Sequence, residues 1–398
     1  MTIVFASNFF NHHEKFLCDE LYKLTDGNFR FIQTEPITEE RKKLGWAFDL
    51  KEIPYCMTSY EHSNSLNESL RIINECDVLI IGSAVNKYIL QRIKQNKLSF
   101  FYAESQFKKG FWHFFYPPTF LSLLIRYIIP SMKSNVYMLC ASAFTAIDTY
   151  KIHAFRNKCF RWGHFIEVSD SVPMSVTDKL SDTELKHHKD VSILWAGRLI
   201  GLKHPDMAVR AAKTLRDKGI PFTMNIIGTG ELESEIRKMI EDYQLNDCVN
   251  MLGAMKPHEV RQYMEQADVF LFTSGRMEGW GAVLAESMVS GCAVIADSAI
   301  GSAPFLVDHD KNGLLYEEGS YENFEKQVVE LISDVPRIKR LGNAACSSIR
   351  NLWSPSVAAQ RFYQLCTELL NNQKVTLYKD GPISKAPLIN RDWFTDKY

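Results

Sequence analysis

Short, almost wholly apolar runs alternate with helix-like patterns along most of this 398-residue chain. In the second half, the runs SILWAG, FTMNIIG, CVNMLG, VFLFT and CAVIA are separated by segments such as HPDMAVRAAKTLRDKG and PHEVRQYMEQA, whose apolar residues recur at helical spacing. A strand that is apolar on both faces needs helices on both faces, which is the environment of a parallel sheet. The alternation therefore predicts a doubly wound α/β architecture.

The first half repeats the pattern in TIVFAS, FRFIQT, DVLIIG, LSFFYA and VYMLCA. A polar, Ser- and Asp-rich segment without hydrophobic period separates the halves, as expected of a linker. We predict a Rossmann-like domain at 1–170, a linker at 171–189 and a second domain at 190–353. Residues 354–398 begin with a helix, because Ser354 is a good cap and Pro355 suits the first helical position.

The net charge of −1 hides a basic block in the first half. Residues 78–163 contain twelve Lys and Arg but only two acidic residues, Glu104 and Asp148. Such a block suggests that one domain faces an anionic surface or substrate. The nine cysteines are scattered without CxxC spacing, which favours reduced thiols and a cytoplasmic location. No apolar run reaches the roughly 18 residues of a membrane span, and the start does not resemble a signal peptide.

Residues 272–291, FTSGRMEGWGAVLAESMVSG, place one glutamate before a predicted helix and another inside it. A helix that begins near Gly281 would point free N–H groups and its positive dipole end at a ligand, an arrangement suited to phosphate. Gly279 and Gly281 allow the backbone to approach that ligand closely. Glu278 and Glu286 could then accept hydrogen bonds from hydroxyl groups. Acids near a helix start also occur for dipole reasons alone.

Two cations follow the first strand of the second half, in GRLIGLKHP. Arg198 and Lys203 should lie at the same carboxyl edge of the sheet as the glutamates. Together they could neutralise a diphosphate, although single cations in loops are more often solvated. A helix start, two cations and two carboxylates at one sheet edge predict a site for a nucleotide-diphosphate sugar.

These same segments carry a family resemblance. GRLIGLKH and EGWGAVLAE resemble the paired signatures of retaining glycosyltransferases of family 4, over about residues 190–335. The resemblance implies the GT-B fold, with two Rossmann-like domains facing a central cleft and a C-terminal helix that crosses back to the first domain. Within this family, the first half most resembles enzymes that build bacterial surface polysaccharides.

The resemblance also implies roles for the site residues. It places Arg198 and Lys203 on the diphosphate, Glu278 on the donor-sugar hydroxyls and Glu286 on the nucleotide ribose. The donor would be a UDP- or GDP-sugar that acts as co-substrate, with no metal or other cofactor. The remaining predicted donor-binding residues are Gly197, Gly253, Gly279, Trp280, Gly281, Ala282 and Val283.

The chain departs from the family pattern at two turns. The loop after the first strand, NFFNHHE, lacks the glycines that approach the donor phosphate in many relatives. His12 and His13 are candidates for the acceptor side, although loop histidines more often cap a helix or face solvent. In GSAPFLV, Phe305 replaces an acidic residue, so a polar contact there is either absent or supplied by Ser302.

Asp308-His309-Asp310 matches the DxD pattern by which glycosyltransferases of GT-A fold hold a metal ion. Hard cations do favour such paired carboxylates. The surrounding DHDKNGLLY nevertheless has the composition of a polar turn leading into a strand. We therefore predict no metal site at this motif.

Residues 100–133 mix basic and aromatic side chains, including Lys108, Lys109, Trp112 and Phe115. This mixture suits the headgroup region of an anionic membrane, but the rings could equally fill the core of the first domain. Glu104 is a candidate acceptor-side residue or a member of a salt bridge. We found no nucleic-acid-binding signature.

The sequence thus predicts a cytoplasmic enzyme, at the inner face of the cell membrane if its basic face binds lipid. It would transfer a sugar from a nucleotide sugar to a glycan or lipid-linked glycan and retain the anomeric configuration. Two alternatives share the architecture, namely a sugar-nucleotide epimerase and a non-catalytic nucleotide-sugar-binding partner. The base, sugar, acceptor and oligomeric state are not determined by the sequence.

Overall fold

The computed structural model describes residues 1–43, 48–168 and 190–397. The chain forms two compact units. The first comprises Met1–Glu167 and Leu352–Arg391, and the second comprises Val168–Asn351 and Asp392–Tyr398. The predicted linker at 171–189 lies outside the described residues.

A seven-stranded sheet forms the centre of the first unit. Its neighbouring strands all pair in parallel, in the order β3-β2-β1-β4-β5-β6-β7. The apolar runs are buried on both faces, as parallel pairing requires. The strands are β1 Ile3–Ser7, β2 Phe29–Gln33, β3 Cys56–Thr58, β4 Val78–Ile81, β5 Ser99–Ala103, β6 Val136–Cys140 and β7 Cys159–Arg161.

Helices connect these strands, and a stretch between β5 and β6 combines three helix types. The α-helices are α1 His12–Leu24, α2 Glu39–Lys43, α3 Ser63–Glu75, α4 Leu90–Lys94, α5 Pro117–Leu123, α6 Ile129–Ser131 and α7 Thr145–Lys151. A 3-10 turn at Phe111–Phe115 precedes α5, and a π-helical turn at Leu124–Ile128 joins α5 to α6. Further 3-10 turns occur at Leu50–Glu52 and Asn86–Tyr88.

The second unit has a six-stranded parallel sheet in the order β10-β9-β8-β11-β12-β13. Its strands are β8 Val191–Ala196, β9 Phe222–Ile227, β10 Val249–Gly253, β11 Val269–Phe272, β12 Ala293–Asp297 and β13 Leu314–Tyr316. Its helices are α8 Pro205–Asp217, α9 Glu233–Asp242, α10 Pro257–Gln266, α11 Ala282–Val289, α12 Ala303–Leu306, α13 Tyr321–Ile332 and α14 Val335–Leu352. Both sheets reverse their strand order in the manner of a Rossmann fold, which confirms the predicted fold class.

Leu352–Arg391, which form most of the C-terminal part of the chain, belong to the first unit, whereas Asp392–Tyr398 group with the second. Helix α15 (Pro355–Leu370) packs against α1, and its Phe362 ring lies 5.0 Å from the Phe100 ring. Ser354 caps the helix by accepting a hydrogen bond from the Val357 amide at 3.4 Å. Beyond α15, the Ala386 amide donates to the Cys159 carbonyl at 3.0 Å and so covers part of the exposed edge of β7.

Candidate functional site

The predicted donor residues lie at the carboxyl edge of the second sheet. Strands β8 and β11 are neighbours there, at the point where the strand order reverses. Ligands of open parallel sheets bind in the crevice at such a point. Arg198 and Lys203 follow β8, and Glu278 follows β11.

Lys203 and Glu278 form an ion pair across this point. The Lys203 ammonium donates a hydrogen bond to Glu278 Oε2, and each side chain is 17% exposed. The ammonium also lies 5.6 Å from the centre of the Phe272 ring. Because an ammonium has three N–H donors, this pairing leaves donors that can bind an anionic ligand.

A buried threonine fastens the Lys203 loop to the sheet. The Thr273 hydroxyl accepts a hydrogen bond from Trp195 Nε1 at 2.9 Å and donates one to the Lys203 carbonyl at 2.6 Å. The loop that carries the lysine is thereby tied to the ends of both β8 and β11. Sequence analysis missed Thr273, although a polar residue directly after the buried run VFLF could have indicated it.

Arg198 lies five positions before Lys203, on the exposed turn that follows β8. In the described ranges its guanidinium has no hydrogen bond or ion pair. The turn is held by the Leu199 amide, which donates to the Thr229 carbonyl at 2.9 Å. Gly228 makes this close approach possible, because a β-carbon there would collide with the Gly197 carbonyl. The backbone of the predicted residue Gly197 thus packs directly against Gly228.

The glycine-flanked loop ends where α11 begins, at Gly281. This residue has a φ of +77°, and a β-carbon on it would lie 2.7 Å from the Phe272 ring. The amides of Ala282 and Val283, in the first turn of the helix, have no partner within it. Both residues are partly exposed, so the helix start offers N–H groups at the same sheet edge as the cations.

Glu286 lies in the second turn of α11 and is half-buried. Burial raises the pKa of its carboxyl group, and the positive charge of Arg261 on the neighbouring helix α10 opposes the rise. Within the part of the chain that the structure describes, the carboxylate accepts no hydrogen bond. A hydroxyl-bearing ligand would therefore stabilise its ionised form.

Gly279 and Trp280, in the loop that leads into α11, are both buried. The Trp280 ring is 2% exposed and lies 6.4 Å from the ring of Phe305, so the aromatic residue that replaces an acid packs in the core. The Ser302 amide donates to the Trp280 carbonyl at 3.2 Å. The Ser302 hydroxyl has no hydrogen-bond partner among the described residues.

Gly253 lies farther along the sheet edge, at the end of β10. Its φ is +74°, and its carbonyl accepts a hydrogen bond from the Gly228 amide at 2.8 Å. It is thereby connected to the turn that carries Arg198. Among the described residues, no atom outside its chain neighbours lies within 4 Å of the position that a β-carbon on Gly253 would take.

In the first unit, His12 and His13 begin helix α1 at the carboxyl end of β1. Asn11 caps this helix by accepting a hydrogen bond from the His13 amide at 2.8 Å. Burial lowers the pKa of His12 to about 4, with a further contribution from the charge of His164. Burial likewise lowers the pKa of His13, so both imidazoles are neutral at pH 7.

Glu104 lies at the same sheet edge, after β5, in a network that includes a residue missed by sequence analysis. The Lys108 ammonium donates to Glu104 Oε2 at 2.7 Å, and His164 Nε2 lies 3.6 Å from Oε1. His164 is held in turn by the Tyr102 hydroxyl at 2.8 Å from Nδ1. Burial opposes ionisation of Glu104, but His164 and Lys108 outweigh it and lower its pKa to about 2.

Both acidic residues of the DxD motif, Asp308 and Asp310, form ion pairs with basic side chains. Asp308 pairs with Lys311 at 2.6 Å, and Asp310 pairs with Arg337 and Arg340 at 3.0 Å. His309 Nδ1 accepts a hydrogen bond from the Leu315 amide at 2.9 Å. The motif therefore builds the turn before β13, in line with the structural interpretation of its sequence.

Comparisons with known proteins agree with this geometry. Residues 176–347 match the family model described as "Glycosyl transferases group 1". The chain is 28% identical over 187 residues to the amylovoran biosynthesis glycosyltransferase AmsK of Erwinia amylovora, covering 46% of each protein. It is 38% identical over 133 residues to the putative colanic acid biosynthesis glycosyltransferase WcaL of Escherichia coli K12, covering 32% of each. The chain thus matches about a third to a half of the length of these relatives.

Solved structures resemble the chain over nearly its full length. The crystal structure of Anabaena HepE in complex with UDP matches with a TM-score of 0.67 at 16% identity, covering 94% of this chain and 100% of HepE. The lipopolysaccharide outer core galactosyltransferase WaaB matches with a TM-score of 0.65 at 16% identity, covering 92% and 98%. The chain therefore has the GT-B fold, and most of its second unit matches the group 1 glycosyltransferase family model.

Proposed function

We propose that this chain is a retaining glycosyltransferase of family 4. It transfers a sugar from a UDP- or GDP-sugar to a glycan or lipid-linked glycan acceptor in the synthesis of a bacterial surface polysaccharide. The second unit binds the donor and the first unit binds the acceptor. The observation that carries this proposal is the Lys203–Glu278 ion pair, at the sheet edge that also includes the turn with Arg198 and the start of α11.

Each group has a distinct task in the proposed reaction. The bond between the donor sugar and the diphosphate breaks, the oxygen of the acceptor hydroxyl forms the new glycosidic bond, and the hydroxyl proton passes to an oxygen of the departing diphosphate. Negative charge grows on the departing phosphate, where Arg198, Lys203 and the N–H groups of α11 stabilise it. Because fixed cations supply this stabilisation, the reaction requires no metal. Glu278 orients the sugar by accepting hydrogen bonds from its hydroxyls, and Glu286 binds the ribose.

The first unit contributes candidate acceptor residues. His12 and His13 are neutral and can donate or accept hydrogen bonds to sugar hydroxyls. Glu104 stays ionised down to low pH, but its pairing with Lys108 favours a role in holding His164 over direct contact with the acceptor. Within the described residues none of the nine cysteines forms a disulfide, which supports a cytoplasmic location.

The relatives support the class of substrate. Two carry the names of amylovoran and colanic acid biosynthesis. A GDP-mannose-dependent phosphatidylinositol monomannoside mannosyltransferase of Mycobacterium tuberculosis is 29% identical over 168 residues. HepE was crystallised with UDP. Both UDP- and GDP-sugars are therefore candidates, as are acceptors attached to lipid.

A two-stage assay tests the proposal. Thermal shift with a panel of UDP- and GDP-sugars identifies the donor, because a ligand that binds the folded state raises its apparent stability. Incubation with that donor and candidate acceptors should then yield an elongated glycan whose new linkage keeps the donor's anomeric configuration by NMR. An isomerised donor without transfer would indicate the epimerase, and binding without turnover would indicate the non-catalytic partner.

A further inference from the structure

The helical segment between β5 and β6 has apolar side chains on both its inner and outer faces. Leu123, Tyr127 and Pro130 face inward and are buried. On the outer face, the exposed fractions are 54% for Leu121, 42% for Ile125, 46% for Ile129 and 80% for Met132. These four follow one another at helical spacing and form a continuous stripe. A helix that is apolar all round normally has an apolar environment on both faces.

The stripe continues into aromatic rings at its N-terminal end. Phe111 and Phe114 stack on each other, 5.3 Å apart, and pack partly against the core. Trp112, Phe115 and Tyr116 point outward and are 64%, 71% and 59% exposed. Eight of the sixteen exposed large hydrophobic side chains in the described residues lie between positions 112 and 132. We call residues 111–132 the apolar ridge.

The charges around the apolar ridge are positive. No acidic residue occurs between Glu104 and Asp148. Lys109 is exposed at one end, Lys133 lies at the other, and neither ammonium has an ion pair within the described ranges. The surroundings of the ridge therefore complement an anionic surface.

Arg126, one of the twelve basic residues at 78–163, does not add to this positive surface. The π-helical turn directs its guanidinium inward, where it donates to the carbonyls of Gly82 and Ala84 at 2.5 and 2.8 Å and to Asn86 Oδ1 at 3.0 Å. The one arginine within the ridge is thus removed from its surface. The outer face between Phe115 and Met132 carries no charge.

We propose that the apolar ridge inserts into the headgroup and upper acyl region of an anionic bilayer. Trp and Tyr favour this interface, and Lys109 and Lys133 would contact lipid phosphates. A second copy of this chain fits the ridge less well, because a symmetric contact would bring the same lysines together. This proposal extends the proposed function by assigning the acceptor to the membrane, where the first unit would meet a lipid-linked glycan.

Vesicle co-sedimentation of the full chain tests the proposal. The probe is vesicles of phosphatidylglycerol and phosphatidylcholine, compared with phosphatidylcholine alone at low salt. We expect binding to the anionic vesicles, and a loss of tenfold or more in the partition coefficient for the Ile125→Glu/Ile129→Glu variant, because its apolar contact is lost. Leu377→Glu is the matched control: this leucine is 78% exposed elsewhere in the same unit and should have no effect.

Charge and depth of insertion supply independent measurements. Lys109→Glu/Lys133→Glu should lower binding at least tenfold at low salt, since each charge near the surface contributes a factor of about five. Brominated lipid should quench the tryptophan fluorescence of the wild type more than that of the Trp112→Phe variant, because the Trp112 ring inserts into the bilayer. Equal sedimentation of wild type and the Ile125→Glu/Ile129→Glu variant would overturn the proposal. Absence of vesicle binding together with a dimer in light scattering that this variant dissociates would assign the ridge to a second copy.

The activity assay separates this proposal from the proposed function. The Ile125→Glu/Ile129→Glu variant should transfer sugar to a water-soluble acceptor at the wild-type rate, but at least tenfold more slowly to the same acceptor on anionic vesicles. Vesicle binding without transfer to any acceptor would contradict the proposed function and leave the ridge intact. If the wild type and the Ile125→Glu/Ile129→Glu variant transfer sugar equally fast to the acceptor on vesicles, the proposed role of the apolar ridge is overturned, but the proposed function is not.

Discussion

Lys203 donates a hydrogen bond to Glu278, which lies 75 positions later in the chain. Lys203 lies in the connection after β8, and Glu278 lies in the connection after β11. Because these two strands pair in parallel, the two connections meet at the same edge of the sheet. The ion pair holds the Glu278 carboxylate near the start of α11 and holds the Lys203 ammonium at the same edge of the second sheet. We therefore expect the two residues to act as a unit, which makes their effects separable from those of Arg198.

Glu278→Ala should lower turnover by a factor on the order of 10², because hydroxyl contacts made in the transition state are lost. The change also leaves Lys203 without its partner, so Glu278→Gln, which can still accept a hydrogen bond, should be milder. The Lys203→Ala/Glu278→Ala double variant should lose less activity than the product of the single losses. Near-normal turnover of folded Glu278→Ala would exclude Glu278 from the site.

Arg198→Ala and Lys203→Ala should each weaken binding of the nucleoside diphosphate by about 1.5–3 kcal/mol, the range for hydrogen bonds to charged groups. Calorimetry with UDP and GDP measures the change. Lys213→Ala is the control, because Lys213 pairs with Asp217 on the exposed face of α8. Unchanged affinity in both site variants would show that the diphosphate binds elsewhere.

Gly281→Ala should damage the donor site while leaving most of the fold intact. The new β-carbon would meet the Phe272 ring at 2.7 Å, on a residue whose φ of +77° already disfavours a side chain. The helix start must shift in response, so we expect weaker diphosphate binding and a loss of about 1–3 kcal/mol in the free energy of unfolding. Gly219→Ala provides a comparison, since Gly219 also has a positive φ but no atom within 4 Å. Equal diphosphate affinity of the two variants would contradict this account.

The sequence predicted the fold well because most strands are long apolar runs. It missed β3 and β7, which are edge strands of three residues with half-buried side chains and so lack a clear pattern. Because β7 was not predicted, His164, which follows that strand, was not recognised as a candidate site residue. His164 is far from Glu104 in the sequence, and the two come together only when the sheet folds. Glu14 was likewise passed over, although burial raises its pKa to about 7.

The sequence predicted which residues of the candidate site share a sheet edge, but it did not predict how their side chains contact one another. Arg198, Lys203 and Glu278 were predicted at one sheet edge because they follow buried apolar runs, and the structure places them after the neighbouring strands β8 and β11. Their pairing was not foreseen, because Lys203 was assigned to the diphosphate without a protein partner. The contacts of Arg126 could not be predicted from the sequence either. Its guanidinium points inward because the segment forms a π-helical turn, which no sequence pattern indicated.

Asp297 should make the stability of the second unit depend on pH. This residue ends β12 and is 2% exposed, and burial raises its pKa from 3.8 to about 7, with Glu318 adding to the rise and the Ala299 amide and Arg276 opposing it. Between about pH 4 and 7 the folded state therefore holds a proton that the unfolded state has lost. The free energy of unfolding falls as pH rises through this window and levels off above it.

Asp297→Asn tests this dependence by urea denaturation at pH 5 and pH 8. Relative to wild type, the variant should be more stable at pH 8 than at pH 5, because the penalty of ionising a buried carboxyl is removed. Asp310→Asn is the control, because Arg337 and Arg340 lower the pKa of Asp310 despite its partial desolvation. This carboxyl is therefore ionised in both the folded and the unfolded state at pH 5 and pH 8, and its removal should change stability equally at both. For Asp297→Asn, the same difference from wild type at both pH values would rule out a raised pKa at Asp297.

Transfer should persist in excess EDTA, because Arg198, Lys203 and the N–H groups of α11 are the proposed partners of the diphosphate. Asp308→Ala should reduce activity less than twofold, since Asp308 is 48% exposed and pairs with Lys311, and an exposed ion pair contributes at most about 1 kcal/mol to stability. The assay compares initial rates in buffer, in EDTA and after addition of Mn²⁺ or Mg²⁺. If chelation abolishes transfer and the metal restores it, the diphosphate is held by a cation rather than by these residues. If Asp308→Ala is then inactive as well, that cation is bound at the DxD motif.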